Sequence, residues 1–178
     1  TWDAHKAMGV PLTCSVLLTR DRQSCAQALS ENASYLFQAD DHLLNPGTRS
    51  LQCGRRNDAL KLWAAWRYHG HRGWSKRIER SRALALDLAS QIKDRPHFRL
   101  CEPPPFLNVC FEYVHSDTQL IPDHKQLCRD LQLEEKALVG YAEFKGRVVI
   151  RAAVINPELT RHDLSVLLDH IEEVAREG

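Results

Sequence analysis

The sequence predicts an α/β fold in which amphipathic helices pack against a small, largely antiparallel sheet. Three observations support this: β-rich apolar segments near residues 98–101 and 107–114, a hairpin pattern around Lys145-Gly146, and helical periodicity in the C-terminal half. The chain has 178 residues, of which 43% are hydrophobic and 26% charged. A chain of this length and composition can bury one sizeable core or two small ones.

The first part of the chain predicts a strand, a long connection and a helix. The apolar, β-leaning residues 12–19 predict a buried strand, so that Lys6 lies just before a sheet. Residues 20–50 are polar and broken by Asn45-Pro46-Gly47, and this length favours a functional loop over a simple connection. Residues 58–68 have helical spacing that ends at His69-Gly70, which predicts a core helix.

The middle of the chain predicts two helices separated by two strands. A helix over residues 75–93 has Ser75 as its N-cap and is stopped by Pro96. Short strands follow at 98–101 and 107–114, and residues 122–133 predict the next helix.

The last part of the chain predicts a hairpin and a closing helix. Apolar segments at 138–144 and 148–155 are separated by Lys145-Gly146, the interval typical of a two-residue hairpin turn. Thr160 and Asp163 have the spacing of a capping box and precede an apolar helical stripe. Lys-Gly is a weaker turn signal than Asn-Gly.

Composition and charge exclude several classes of protein. The 24 basic and 23 acidic residues leave a net charge of +1, which gives no electrostatic reason to bind nucleic acid or a membrane. There is no apolar run of membrane-spanning length and no signal-peptide pattern at the start, which favours a cytoplasmic protein. The six cysteines contain no C-x-x-C pair, so we expect reduced thiols and no metal site.

The start of the chain is unusual. Thr1 runs into His5-Lys6 and an apolar segment without a methionine, cap or linker. We expect a fragment, a processed product or one half of a split protein. Lys6 is a candidate amine nucleophile, because a lysine in an apolar setting next to a sheet loses part of its preference for charge. Taken alone, a His-Lys pair is more often a surface feature.

A resemblance changes the weight of that lysine. Several blocks, in the same order, are similar to group II pyridoxal-phosphate-dependent decarboxylases, and most of all to the glutamate and cysteine sulfinate branch. The blocks are Asp3-Ala4-His5-Lys6, Met8-Gly9-Val10-Pro11-Leu12, Cys14-Ser15, Ser34-Tyr35-Leu36-Phe37-Gln38, Gln52-Cys53-Gly54-Arg55-Arg56 with Asp58, Lys61-Leu62-Trp63, Asn108-Val109-Cys110-Phe111, and Arg151 with Asn156-Pro157. They cover nearly the whole chain.

The resemblance implies the C-terminal part of a fold-type-I enzyme. Residues 1–68 would be the remainder of the large pyridoxal-phosphate domain, with a catalytic loop at about 21–50. Residues 69–178 would be a connecting helix and the small C-terminal α/β domain. The implied activity is decarboxylation of a small acidic amino acid (glutamate, cysteine sulfinate or aspartate) to the amine and carbon dioxide by a homodimer.

The resemblance also implies a role for four residues. Lys6 would form a Schiff base with pyridoxal 5'-phosphate, and His5 would help to bind its phosphate. Tyr35, on a loop that closes over the active site, would protonate the former α-carbon, and Arg151 would bind the substrate carboxylate. Alternatively, Tyr35 only packs with its apolar neighbours, and Arg151 is an exposed strand residue.

Other parts of the family site are supplied from the segment before the lysine. These are an aspartate on the pyridine nitrogen, a residue stacked on the ring, and hydroxyl residues around the phosphate. We therefore expect this chain alone to be inactive and to need an N-terminal portion or a complementing chain. The alternatives are a non-catalytic folding or dimerisation module, a decarboxylase of diaminobutyrate or aromatic amino acids, and aldol cleavage or transamination, against which Tyr35 argues.

Overall fold

A computed structural model describes residues 1–21, 23–29, 50–52, 54–115 and 118–177. The chain divides into two compact units, Thr1–Tyr68 and His69–Gly178. The assignment of these units to a large and a small domain of an enzyme stays a prediction. In the part of the chain that is described, no helix is long and apolar enough to cross a membrane.

The first unit is built on a short antiparallel pair of strands. Strand β1, Trp2–Asp3, pairs with β2, Ser15–Val16. Helix α1 spans Ser24–Leu29, and the unit also contains the first turns of α2, Asp58–Asp94. The apolar residues that it buries lie mainly between the two strands: Ala4, Met8, Val10 and Cys14.

Two predictions for this unit are wrong in extent. Of the predicted buried strand 12–19, only Ser15–Val16 forms a strand, and Leu17 and Leu18 are 62% and 80% exposed. The predicted core helix does form, but Trp63 is 61% exposed. The partner strand β1 forms only two residue pairs with β2. An apolar segment becomes buried only where another element covers it, so Leu17 and Leu18 stay exposed.

Helix α2 is interrupted at Gly70. Its backbone angles there, φ 64° and ψ 178°, are outside the helical region, and a positive φ favours glycine. The predicted break at His69-Gly70 is therefore confirmed. Helical geometry resumes at once and does not wait for Ser75. Beyond the break the helix buries Trp74, Ser81, Ala85, Leu88, Ala89 and Ile92.

The second unit is a two-layer α/β sandwich. Its sheet is antiparallel throughout and has the order β3-β4-β6-β5. The strands are β3 (Phe98–Leu100), β4 (Asn108–Tyr113), β5 (Gly140–Phe144) and β6 (Arg147–Ala153), and the helices are α3 (His124–Leu133) and α4 (Arg161–Glu177).

Local signals in this unit act as predicted. The turn between β5 and β6 has a positive φ at both Lys145 (50°) and Gly146 (78°), the geometry of a type I′ hairpin. At the start of α4, the Thr160 N–H donates to Asp163 Oδ2 at 2.7 Å, and the Asp163 N–H donates to Thr160 Oγ1 at 3.3 Å. The hairpin and the capping box are both confirmed.

The helices cover one face of the sheet. Ridges of α2, α3 and α4 pack on Val109, Phe111, Ile150 and Ala152, all of them buried. Because side chains alternate along a strand, the neighbours of these residues point to the opposite face. That face, which we name the arginine face, carries Cys110, Glu112, Arg147 and Arg151.

A buried histidine extends the pairing of the two central strands. The β4–β6 ladder ends at the pair Phe111–Ile150. Beyond it, the imidazole of His124, 1% exposed, accepts a hydrogen bond from the Tyr113 N–H at Nε2 (3.1 Å) and lies with Nδ1 2.8 Å from the Val148 carbonyl oxygen. A carbonyl can only accept, so Nδ1 carries the proton. His124 therefore replaces a missing rung of the ladder.

Replacing His124 by leucine is expected to lower the free energy of unfolding by about 2–4 kcal/mol, because the Tyr113 N–H and the Val148 carbonyl lose their partner inside the core. Urea unfolding measures this. The matched change His162→Leu, at an exposed position on α4, should stay within about 0.5 kcal/mol of wild type. Equal unfolding midpoints for the two variants would contradict the role of His124.

Candidate active site

Lys6 lies in the turn that joins β1 to β2, which we name the lysine turn (residues 4–14). Its N–H donates to the Asp3 carbonyl at 3.1 Å, and its own carbonyl accepts from the Gly9 N–H at 2.9 Å. The side chain is 68% exposed, and Nζ lies 2.8 Å from Asp3 Oδ2. The sequence predicted an apolar setting for this amine. The structure instead places it at the surface beside a carboxylate.

Asp3 is held as an anion. It accepts a hydrogen bond from Ser15 Oγ at 2.6 Å in addition to its pairing with Lys6. These two hydrogen bonds, that of Lys6 first, lower the pKa of Asp3 to about 2. At neutral pH the carboxylate therefore remains charged and is the ion-pair partner of Lys6.

His5 is tied to Cys14 through one ring nitrogen. The main-chain N–H of His5 donates to the Cys14 carbonyl at 3.2 Å. The main-chain N–H of Cys14 donates to the ring nitrogen Nδ1 of His5, also at 3.2 Å. Nδ1 is also 2.9 Å from the same carbonyl. Nδ1 therefore faces both polar main-chain groups of Cys14, and these contacts fix the orientation of the ring. Among the described residues, Nε2 has no hydrogen-bond partner.

The beginning of α2 is attached to the lysine turn. Lys61 Nζ lies 2.6 Å from Asp58 Oδ1 and donates to the Leu12 carbonyl at 2.9 Å. Thr13 Oγ1 is 3.5 Å from Asp58 Oδ2, and Cys14 Sγ is 3.7 Å from the Asp58 carbonyl. Asp58 and Lys61 were identified from the sequence only as part of the family resemblance, without an assigned function. Their spacing of three residues, which puts both on one face of a helix, is the sequence feature that indicates their pairing.

Arg151 lies on the arginine face, directly opposite Cys110 of β4. One guanidinium nitrogen, Nη1, donates to Asn108 Oδ1 at 3.2 Å. Across the described ranges, no carboxylate lies within ion-pair distance of this guanidinium. The side chain is exposed and keeps donors available for an anionic group.

The neighbours of Arg151 leave its charge uncompensated. Burial raises the pKa of the Cys110 thiol, although the positive charge of Arg151 opposes the shift, so the thiol is neutral at neutral pH. The buried carboxylate of Glu112, two residues further along β4, is paired with Arg147 at 3.1 Å. Considering only the described residues, Arg151 thus gives this face an unpaired positive charge beside a neutral thiol.

The predicted site residues fall in different parts of the chain. Lys6 and His5 are adjacent in the lysine turn, together with Asp3. Arg151 belongs to the second unit. Tyr35, and most of the predicted catalytic loop at 21–50, lie outside the described residues.

Comparison with known proteins gives a consistent result. The family model "Pyridoxal-dependent decarboxylase conserved domain" matches residues 1–114. The chain is 33% identical to the acidic amino acid decarboxylase GADL1 of Mus musculus, over 99% of this chain and 35% of that protein. It is 36% identical to the cysteine sulfinic acid decarboxylase of Mus musculus, over 96% of this chain and 38% of that protein.

Solved structures support the same fold. The crystal structure of mouse CSAD superposes with a TM-score of 0.81 at 31% identity, covering 97% of this chain and 39% of that one. The Oryza sativa TDC structure with PLP and tryptamine gives a TM-score of 0.85 at 22% identity, covering 98% and 38%, and shows the fold alone. The predicted α/β fold of fold type I is confirmed.

The chain spans a little over a third of the length of these relatives. The matches to these relatives cover 96–99% of this chain. The match of the family model, the two mouse relatives and the superposed crystal structure agree with the order of the sequence blocks. The chain belongs to the pyridoxal-dependent decarboxylase family.

Proposed function

We propose that the protein containing this chain decarboxylates a small acidic amino acid to an amine with the help of pyridoxal phosphate. The observation that carries the proposal is the lysine turn, which has the exposed amine of Lys6 next in sequence to the half-buried imidazole of His5, whose orientation Cys14 fixes. The names of the two mouse relatives, which specify acidic amino acids and cysteine sulfinic acid, support the substrate class.

The residues of the lysine turn fit pyridoxal phosphate. The cofactor needs a primary amine that can be reached from outside, and the side chain of Lys6 is 68% exposed. Its phosphate needs hydrogen-bond donors, and an imidazole that carries its proton on Nε2, or on both nitrogens, is one; Nε2 of His5 has no partner among the described residues. The donor set therefore matches both ends of the cofactor, with Lys6 as the covalent attachment point and His5 at the phosphate.

When bound, pyridoxal phosphate supplies an electron sink for the electrons that remain after loss of carbon dioxide. The chain's own residues prepare this chemistry. Asp3 holds the Lys6 ammonium when the amine is not bonded, and Lys6 must give up that proton before it can act as a nucleophile. His5 would hold the phosphate of the cofactor, and Cys14 orients its imidazole for that role.

Arg151 is proposed to bind the α-carboxylate of the substrate. A guanidinium can hold a carboxylate with two parallel hydrogen bonds, and such bonds are stronger than neutral ones. The bond to Asn108 limits rotation of the guanidinium, and no described carboxylate competes with the substrate. Tyr35 is proposed to donate a proton to the former α-carbon, which makes the product an amine.

The function is tested by incubating the cofactor-loaded protein with glutamate, aspartate and cysteine sulfinate and measuring carbon dioxide and amine. We expect equal amounts of both products from at least one acidic substrate. Diaminobutyrate and an aromatic amino acid are the comparison substrates. Aldehyde in place of amine would remove the role given to Tyr35. A protein that neither takes up the cofactor nor releases carbon dioxide would be the non-catalytic module instead.

A further inference from the structure

The first turn of α2 clamps the backbone of the lysine turn. Lys61 Nζ contacts Asp58 Oδ1 at 2.6 Å, and it donates to the carbonyl of Leu12 at 2.9 Å and more weakly to that of Thr13 at 3.4 Å. The ammonium group has three N–H donors, and these three acceptors match them. We name this group of contacts the Asp58–Lys61 clamp. It joins residues that are 48 or 49 positions apart in the sequence.

Asp58 contributes to the clamp in three ways. Its carboxylate is the counter-ion of Lys61, and its second oxygen accepts from Thr13 Oγ1 at 3.5 Å. Its main-chain carbonyl accepts from Cys14 Sγ at 3.7 Å. The hydrogen bond from Lys61 lowers the pKa of Asp58, so the carboxylate stays charged at neutral pH. Residues 12, 13 and 14 are thus each held from α2.

The clamp reaches the proposed cofactor site through Cys14. The N–H and the carbonyl of Cys14 both contact Nδ1 of His5, at 3.2 Å and 2.9 Å, and these contacts set the orientation of the ring. A displaced residue 14 would release the imidazole from this orientation. The strands β1 and β2 share only two residue pairs, so the contacts from α2 add to a short ladder.

We propose that Asp58 and Lys61 are positioning residues that hold His5 in the orientation needed to bind the cofactor phosphate. This inference rests on the proposed function, since it assigns the phosphate to His5. Neither residue touches the cofactor. Both act through residues 12–14, so removing them weakens cofactor binding only as far as His5 contributes to it.

A double-mutant cycle tests the inference. Lys61→Met, His5→Ala and the double variant are titrated with pyridoxal phosphate, and binding is followed by visible absorbance. We expect Lys61→Met to raise the dissociation constant about 10-fold in wild type and by less than about 2-fold in the His5→Ala background. Lys61→Arg should restore part of the affinity, and Lys76→Met, on an exposed part of the same helix, should leave it unchanged.

A second measurement does not depend on the cofactor. In the cofactor-free protein, Lys61→Met should speed hydrogen exchange at residues 12–16, whereas Lys76→Met should not. If Lys61→Met fails to fold, Asp58→Asn takes its place in the cycle. An unchanged dissociation constant, or an equal effect with and without His5, overturns the inference. Absence of cofactor binding in the wild-type protein overturns the proposed function as well, so the two failures are distinguishable.

Discussion

The Lys6→Ala variant is expected to lose the visible absorbance of the lysine-bound cofactor completely, and amine formation should fall to background. The amine of Lys6 is the group that we propose to bond covalently to the cofactor, and the side chain of alanine has no nucleophilic group. The change should not unfold the protein, because the side chain is 68% exposed and loses a single surface ion pair, to Asp3. Absorbance titration and carbon dioxide release measure the two effects in one sample.

Two controls make this result specific. Lys76→Ala, at an exposed position on α2, should keep both the absorbance band and the activity of wild type. Reduction with borohydride followed by peptide mass mapping should place the cofactor on the peptide that contains Lys6. If the cofactor is found on another lysine, or if the band persists in Lys6→Ala with the cofactor covalently attached, the assignment of Lys6 is wrong.

Arg151→Met should raise the Michaelis constant for the substrate about 100-fold and leave the cofactor band unchanged. Methionine keeps much of the length of the side chain and removes its charge. Loss of a charge-assisted, two-point contact with a carboxylate costs about 2–3 kcal/mol, which corresponds to that factor. The effect should be large because the described neighbours of Arg151, Asn108 and a neutral Cys110 thiol, offer no replacement cation.

Steady-state kinetics with the preferred acidic substrate provide the measurement. Arg82→Met, on an exposed position of α2, is the matched control and should retain the wild-type constant. Arg151→Lys should give an intermediate value, because it keeps the charge but not the planar pair of donors. A wild-type Michaelis constant for Arg151→Met would show that another group binds the carboxylate.

The second unit was predictable because its signals are local. The turn at Lys145-Gly146 and the capping box of Thr160 and Asp163 each depend on residues within three positions of one another. Such signals specify a turn or a helix start without knowledge of distant parts of the chain. Even so, the sequence predicted too late a start for the helix after Gly70. Ser75 is a residue type that often caps a helix, whereas the helix resumes directly after the break at Gly70.

The first unit was less predictable because its contacts are distant in sequence. Lys61 bonds to the carbonyls of Leu12 and Thr13, and a main-chain acceptor leaves no mark in the residue pattern. The burial of residues 12–19 was misjudged for a related reason. An apolar run specifies a preference for burial, whereas the partner that would satisfy it lies elsewhere in the chain. The ion pair between Lys6 and Asp3 likewise depends on the main-chain hydrogen bond between these two residues, which the residue pattern does not specify.

The alternation of side chains along β6 helps to specify the register in which this strand pairs. Ile150 and Ala152 face the helices, and Arg151 between them faces the other way. A chain that paired β6 one residue out of step would turn the guanidinium into the apolar interior and remove the isoleucine from it. The shifted register is therefore disfavoured, and the observed register places the arginine on the face away from the helices.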